Sequence, residues 1–263
     1  MAASQPPSLD GIRAKLARAD EHFDLLEREI DAFLAGESEP VTLSIPYLDT
    51  DSGYHVVYAI VEHEPPLRFG VVVGDIVHNA RSALDHLVWQ LVILNGGRPG
   101  RDHSFPIADH PNDFSAQAAK RLDGVAPRHR AIIESVQPYQ GSNGPENTYL
   151  ALLSRLSNVD KHQVVHATLA VLQDPGDRVS VRLVRGPGEI VAKQFLPFGG
   201  FEHGAPLLRF KVEPLTPDTE VDVDGDVPVG IAIGERRDRL GHVKHLPQVA
   251  RIIVQQFEAD FAS

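Results

Sequence analysis

Between Gly74 and Leu87 the chain reads Gly-Asp-Ile-Val-His-Asn-Ala-Arg-Ser-Ala-Leu-Asp-His-Leu, which gathers two imidazoles, one guanidinium and two carboxylates in a short run. An imidazole takes and gives protons near neutral pH, and a guanidinium holds phosphate or carboxylate charge, so this combination suits acid–base chemistry on an anionic substrate. On a helix of about 100° per residue the apolar seam is centred near Ala80, Leu84 and Leu91. Asp75, Asn79, Ser82, His86 and Gln90 lie opposite it, with His78 and Asp85 beside them. From Leu67 to Asn95 there is no Lys and no Glu. A solvated helix face normally carries those residues, whereas short polar groups suit fixed hydrogen bonds. The face is therefore expected to be covered, by the rest of the chain or by a second copy. Two uses follow: a buried network that only fixes helix register, or His78, Arg81, Asp85 and His86 converging as catalytic groups, with Asp75, Asn79 and Ser82 binding the ligand. A second cluster, Asn158, Asp160, Lys161 and His162, stands at an expected helix–strand junction. It reads either as a cap and turn or as further binding residues.

The two clusters together resemble a widespread bacterial and phage family, whose pattern is a Gly-Asp-x-x-His-Asn-x-Arg-Ser-x-Leu-Asp-His-Leu helix followed later by Asn-x-Asp-Lys-His. Here those are residues 74–87 and 158–162, and the resemblance spans about residues 67–162. It implies no particular activity. The six residues from Arg81 to His86 also resemble the Arg-x4-His signature of HEPN domains, the helical ribonucleases of toxin and antiphage systems. That resemblance implies metal-independent RNA cleavage across a homodimer. His86 would be the general acid–base for attack by a ribose 2′-hydroxyl, and Arg81 would stabilise charge developing on phosphate. Ser82 departs from the family, which usually has Asn, Asp or His after the Arg. A spacing of five residues sets Arg81 and His86 about 140° apart on a helix, so two copies would have to combine.

Two further readings stay open. The chain is a non-catalytic structural or binding protein whose His/Asp/Asn face is a packing network, or it is a metal-dependent hydrolase. In the latter His78, Asp85 and His86, with His162 or Asp160, would offer nitrogen and oxygen ligands to zinc, iron or manganese. No His-Glu-x-x-His pattern supports it, and no metal and no cofactor is expected. Residues 222–226, Asp-Val-Asp-Gly-Asp, look like the start of a calcium loop, but Val227 and Ile233 occupy positions that need Gly and Glu, so a tight turn is expected there. Phosphate-loop, dinucleotide-binding and nucleophile-elbow motifs are absent. Trp89 is read as a core or interface anchor, and His242 and His245 as surface histidines. Arg236, Arg237 and Arg239 form the one basic knot, which is either a local phosphate site or a solvated helix start.

The elements that must hold these residues are legible in the periodicity. Ile12, Leu16, Ala19, Phe23, Leu26, Ile30 and Phe33 form a seam over residues 8–34, and Val73, Val77, Ala80, Leu84, Leu87, Leu91 and Leu94 form another over 67–95. Matching seams of this kind predict an antiparallel helical hairpin. A β-hairpin is expected at 41–61, and shorter helices at 113–120, 127–136 and 145–157. Strands are expected at 164–172, 179–184, 190–195, 207–212 and 227–233, with a hairpin turn at 186–188. A last helix at 237–261 should kink or break at Pro247. The fold class is α+β in one domain: a helical part over 8–160, a mainly antiparallel β-rich part over 163–235 and a C-terminal helix.

The chain's 263 residues suffice for a large core, with 42% hydrophobic and 23% charged residues. Its 25 basic and 36 acidic side chains leave a net charge of −11, which excludes general nucleic-acid binding through a basic surface and leaves RNA only a local site. There is no cysteine for disulfides, thiolate zinc sites or thiol nucleophiles. No run is long and apolar enough for a membrane span, and no signal sequence opens the chain. A soluble, cytoplasmic homodimer without membrane contact is expected.

Overall fold

The computed structural model describes residues 6–36, 38–171, 173–196, 199–236 and 238–262. Helix α1 (Asp10–Leu34) and helix α2 (Leu67–Leu94) pack antiparallel. Their seams explain the pairing: Ile12, Leu16, Ala19, Phe23 and Leu26 on one helix, and Val73, Val77, Ala80, Leu84, Leu87 and Leu91 on the other, are all buried. The start of α1 is tied to the end of α2 where the Ser8 amide donates to Gln90 Oε1 at 3.0 Å. Between the two helices run β1 (Val41–Leu43), β2 (Tyr47–Asp49) and β3 (Tyr54–Val61), and β3 pairs antiparallel with both.

After α2 come three shorter helices, α3 (Pro111–Arg121), α4 (Pro127–Ser135) and α5 (Tyr149–Asp160). Proline opens α3 and α4, where its missing N–H costs nothing. Thr148 caps α5 by accepting from the Ala151 amide. The strands are β4 (Ala167–Val171), β5 (Val179–Arg185), β6 (Glu189–Phe195), β7 (Gly199–Phe201), β8 (Pro206–Glu213), β9 (Glu220–Gly225), β10 (Val229–Ile233) and β11 (Asp238–Arg239). Helices α6 (Leu240–Gln255) and α7 (Glu258–Phe261) close the chain. The architecture is α+β, with antiparallel sheets in the second half and the C-terminal helix α6.

The chain forms two compact units. One comprises the residues up to Glu27, Gly70–Val165 and those from Gly241 on; the other comprises Arg28–Phe69 and His166–Leu240. The second unit holds one sheet in the order β1-β3-β8-β6 with β2 also on β3, another in the order β11-β10-β4-β7, and the pair β5-β9. Its core joins Val57, Leu208, Phe210 and Val212 to Val179, with Val221 and Val223 packed against them.

Four local expectations change. Residues 186–188 do not close a hairpin, because β5 pairs with β9 while β6 pairs with β8, so this turn carries the chain from one sheet to another. Residues 222–226 are not a tight turn: 222–225 lie in β9, with Asp222 opposite Arg182 and Val223 opposite Val181. The final helix does not break at Pro247: it continues to Gln255, and its break falls at residues 256–257. Of the basic knot, Arg236 and Arg239 are exposed, Arg239 belongs to β11, and Arg237 lies outside the described residues, as does Leu172.

Candidate functional site

Helix α2 is buried around most of its circumference, which is why it lacks Lys and Glu. Beyond the seam, Phe69, Val72, Ile76, Ala83, Val88 and Val92 are buried too. Within the first unit, solvent reaches α2 along one stripe, where Val71, Asp75, His78, His86 and Trp89 are exposed and Ser82 is half-buried. The expected shelter over the imidazoles is therefore absent in the single chain: His78 and His86 face solvent, and Trp89, 40% exposed, is no core anchor. The two edges of the stripe differ. On one edge partial burial holds the His86 imidazole below the ordinary range, with Lys15 of α1 adding to the shift and Asp85 opposing it. Arg81 is on the other edge, about 140° away.

There Arg81 and Asp85 are held together. Arg81 Nη2 donates to the Phe105 carbonyl at 2.5 Å and lies 3.0 Å from Asp85 Oδ1, and that same oxygen accepts the Phe105 amide at 2.8 Å. One turn of helix thus grips both backbone groups of a fully buried phenylalanine. The grip continues along the segment: buried Gln137 donates to the carbonyls of Pro106 and Ile133 and accepts from the Ala108 amide, while Gln117 donates to the Ile107 carbonyl. Residues 105–108 form no helix or strand, so these side chains supply the hydrogen bonds that a ladder would otherwise provide.

This fixed segment walls a cavity of about 210 Å³, lined by Arg81, Ile107, Gln117, Arg121, Ser154, Ser157, Asn158 and Lys161. Helix α3 brings Gln117 and Arg121, and α5 with the residue after it brings Ser154, Ser157, Asn158 and Lys161. Among the described residues the lining holds three cations, two hydroxyls and two amides, and no carboxylate. Arg81 is largely buried, with 15% of its side chain exposed, and burial pulls its guanidinium below the usual arginine range; Asp85 opposes that shift and Arg121 adds to it. Arg121 and Lys161 make no side-chain hydrogen bond or ion pair among the described residues. Uncompensated like charge around a polar cavity is an arrangement that an anion relieves.

The remaining expected residues fall elsewhere. Asp75, His78 and Asp160 line a separate, open groove with Val71, Gly74, Gln163 and Val164. The two sequence motifs meet there because Gly74 has no side chain: a Cβ would stand 2.1 Å from Asp160 Oδ1, and a Cβ on Gly70 would stand 1.8 Å from the Val165 carbonyl oxygen. Asn79 donates to the Asp75 carbonyl within its own helix. His162 is exposed. Among the described residues no three His, Asp or Glu side chains are grouped to hold a metal ion.

Sequence reasoning missed Arg121, Gln117, Ser154 and Ser157, because single polar residues on amphipathic helices carry no signal until the helices meet. It missed also His129 of α4, which is buried with Nε2 3.0 Å from Asp260 Oδ2, while Arg128 bonds Asp260 Oδ1 at 2.6 Å. This pair fastens α7 to α4. No family model, no curated protein and no solved structure matches the chain.

Proposed function

We propose that the chain binds a phosphate-bearing ligand, with the anionic group held by Arg81, Arg121 and Lys161. The observation that carries this reading is the cavity's lining, three cations without a carboxylate in a chain whose net charge is −11. Arginine and lysine donate several charge-assisted hydrogen bonds to phosphate oxygens, and the serine hydroxyls and the amides of Gln117 and Asn158 add neutral donors. The Asp85 and Phe105 contacts fix Arg81 in advance, which reduces the ordering cost of binding. Isothermal titration with inorganic phosphate tests it. Saturable one-site binding that weakens by about tenfold or more in Arg121→Gln supports the reading, since one lost charged hydrogen bond is worth that much. An absence of binding at millimolar phosphate overturns it.

A second reading keeps the metal-independent ribonuclease. It is favoured by the exposed α2 stripe, which carries His78, Ser82 and His86 beside Val71 and Trp89 without Lys or Glu. In this reading a second copy covers the stripe and His86 acts as the general acid–base. It predicts a dimer by sedimentation and an RNA-cleaving activity that His86→Ala abolishes. A monomer inert toward RNA would dispose of it.

A further inference from the structure

Resting on the phosphate reading, we infer that the cavity selects a dianionic terminal phosphate, free or as a small polar monoester, over the phosphodiester of a polynucleotide. Charge is the first argument. Three cations line the cavity and the Asp85 carboxylate paired with Arg81 offsets one of them, so a net two positive charges remain to be met. A phosphomonoester above its second pKa supplies close to two negative charges, whereas a phosphodiester supplies one.

Shape is the second argument. The cavity, about 210 Å³, is bounded by three helices and the fixed segment 105–108, and it falls below the size of ordinary drug-like sites. It has the room and the walls for a compact anion rather than for a chain passing through.

Lining chemistry is the third. Among the described lining residues Ile107 is the one apolar residue and none is aromatic, so a nucleobase finds no ring there to stack on. Two hydroxyls and two amides offer partners to phosphate oxygens and to the hydroxyls of a small polyol. Asn158 and Lys161 are exposed whereas Ser157 is buried, so the non-phosphate part of an ester leaves past Asn158 and Lys161. The chain's net charge of −11 acts in the same direction, since it repels a polyanion more than a single phosphate.

The experiment is titration calorimetry at constant ionic strength with four probes: inorganic phosphate, ribose 5-phosphate, dimethyl phosphate and sulfate. At a pH of about 8 the two phosphates with a titrating proton should bind, and dimethyl phosphate should bind about tenfold more weakly or worse. On acidification to about pH 5 their affinity should fall several-fold as the dianion takes up a proton, while that of sulfate, which stays a dianion, should hold. The charged groups that line the cavity are Arg81 of α2, Arg121 of α3 and Lys161 after α5, with Asp85 behind Arg81 as its ion-pair partner, and no histidine is among the described lining residues, so the pH dependence belongs to the ligand. Binding of inorganic phosphate but not of ribose 5-phosphate supports the inference with free phosphate as the source. Binding of both supports it with a phosphorylated small molecule. Dimethyl phosphate binding within about threefold of ribose 5-phosphate overturns the selectivity and leaves the phosphate reading standing. If none of the four binds, the phosphate reading falls and the inference with it. Arg121→Gln removes one charge without breaking a side-chain hydrogen bond or ion pair among the described residues and should abolish the preference for dianions.

Discussion

Asp85 contributes more to this structure than its neighbouring histidines do. Its Oδ1 serves both the Arg81 guanidinium and the Phe105 amide, so Asp85→Ala leaves a largely buried cation without its counter-charge and a backbone donor without its acceptor. A loss of about 1–3 kcal/mol is expected in denaturant unfolding. Arg121→Gln should behave oppositely, because it relieves like charge against Arg81: the melting temperature should hold or rise while phosphate binding weakens by about tenfold or more. Buried His55 supplies a pH dependence from the other unit. Its ring stacks on Phe210 at 5.0 Å, its Nδ1 has no partner, and burial lowers its pKa from the ordinary 6.5. The folded state therefore resists protonation, so His55 favours folding fully above about pH 6.5 and loses that contribution as pH falls through the lowered value. Unfolding followed from pH 7.5 to about 5 should show the loss, and His55→Phe should flatten it. Arg81 and Lys161 were visible in the sequence as chemistry-bearing residues, but their partners were not. Arg121 and Ser157 come to line one cavity only when the chain folds, and a charge in the last turn of a helix otherwise reads as a solvated end.

The helical hairpin was legible because a burial seam with a period near 3.5 residues leaves a mark in composition along each helix. What the period could not show is how far burial extends around α2. The absence of Lys and Glu was rightly a sign of cover, yet the cover lies over Arg81 and Asp85 and leaves His78 and His86 open. The glycines of α2 make a test at this scale. Gly70→Ala and Gly74→Ala each gain helix propensity but push a Cβ into Val165 or Asp160, and a net destabilisation of about 1–3 kcal/mol is expected in thermal or urea unfolding. Gly11, with open space at its Cβ position, is the control and should be stabilised when changed to Ala. The strand pairings were less legible than the helices. Residues 179–185 and 189–195 are neighbours in sequence and alternate well, so a hairpin at 186–188 was the natural reading. The pairing of β5 with β9 spans far more chain and depends on apolar side chains from both strands meeting in a shared core, which no local pattern records.

For the whole molecule, a strongly negative chain that still assembles three cations around one cavity separates long-range from short-range electrostatics. At a distance an anion meets net repulsion, screened within about 10 Å at 0.1 M salt, and only inside the cavity does the local charge reverse sign. This suits a small ligand at ordinary ionic strength. Bound ligand should also stabilise the fold, by about 2.7 kcal/mol at a hundredfold excess over Kd, read as a rise in melting temperature that is smaller in Arg121→Gln at the same ligand concentration. The most direct measurement is a crystal structure grown with inorganic phosphate. The account predicts a phosphate within hydrogen-bond distance of the Arg81 and Arg121 guanidinia and the Lys161 ammonium. A cavity holding only water, with those three side chains turned away from one another, would contradict it.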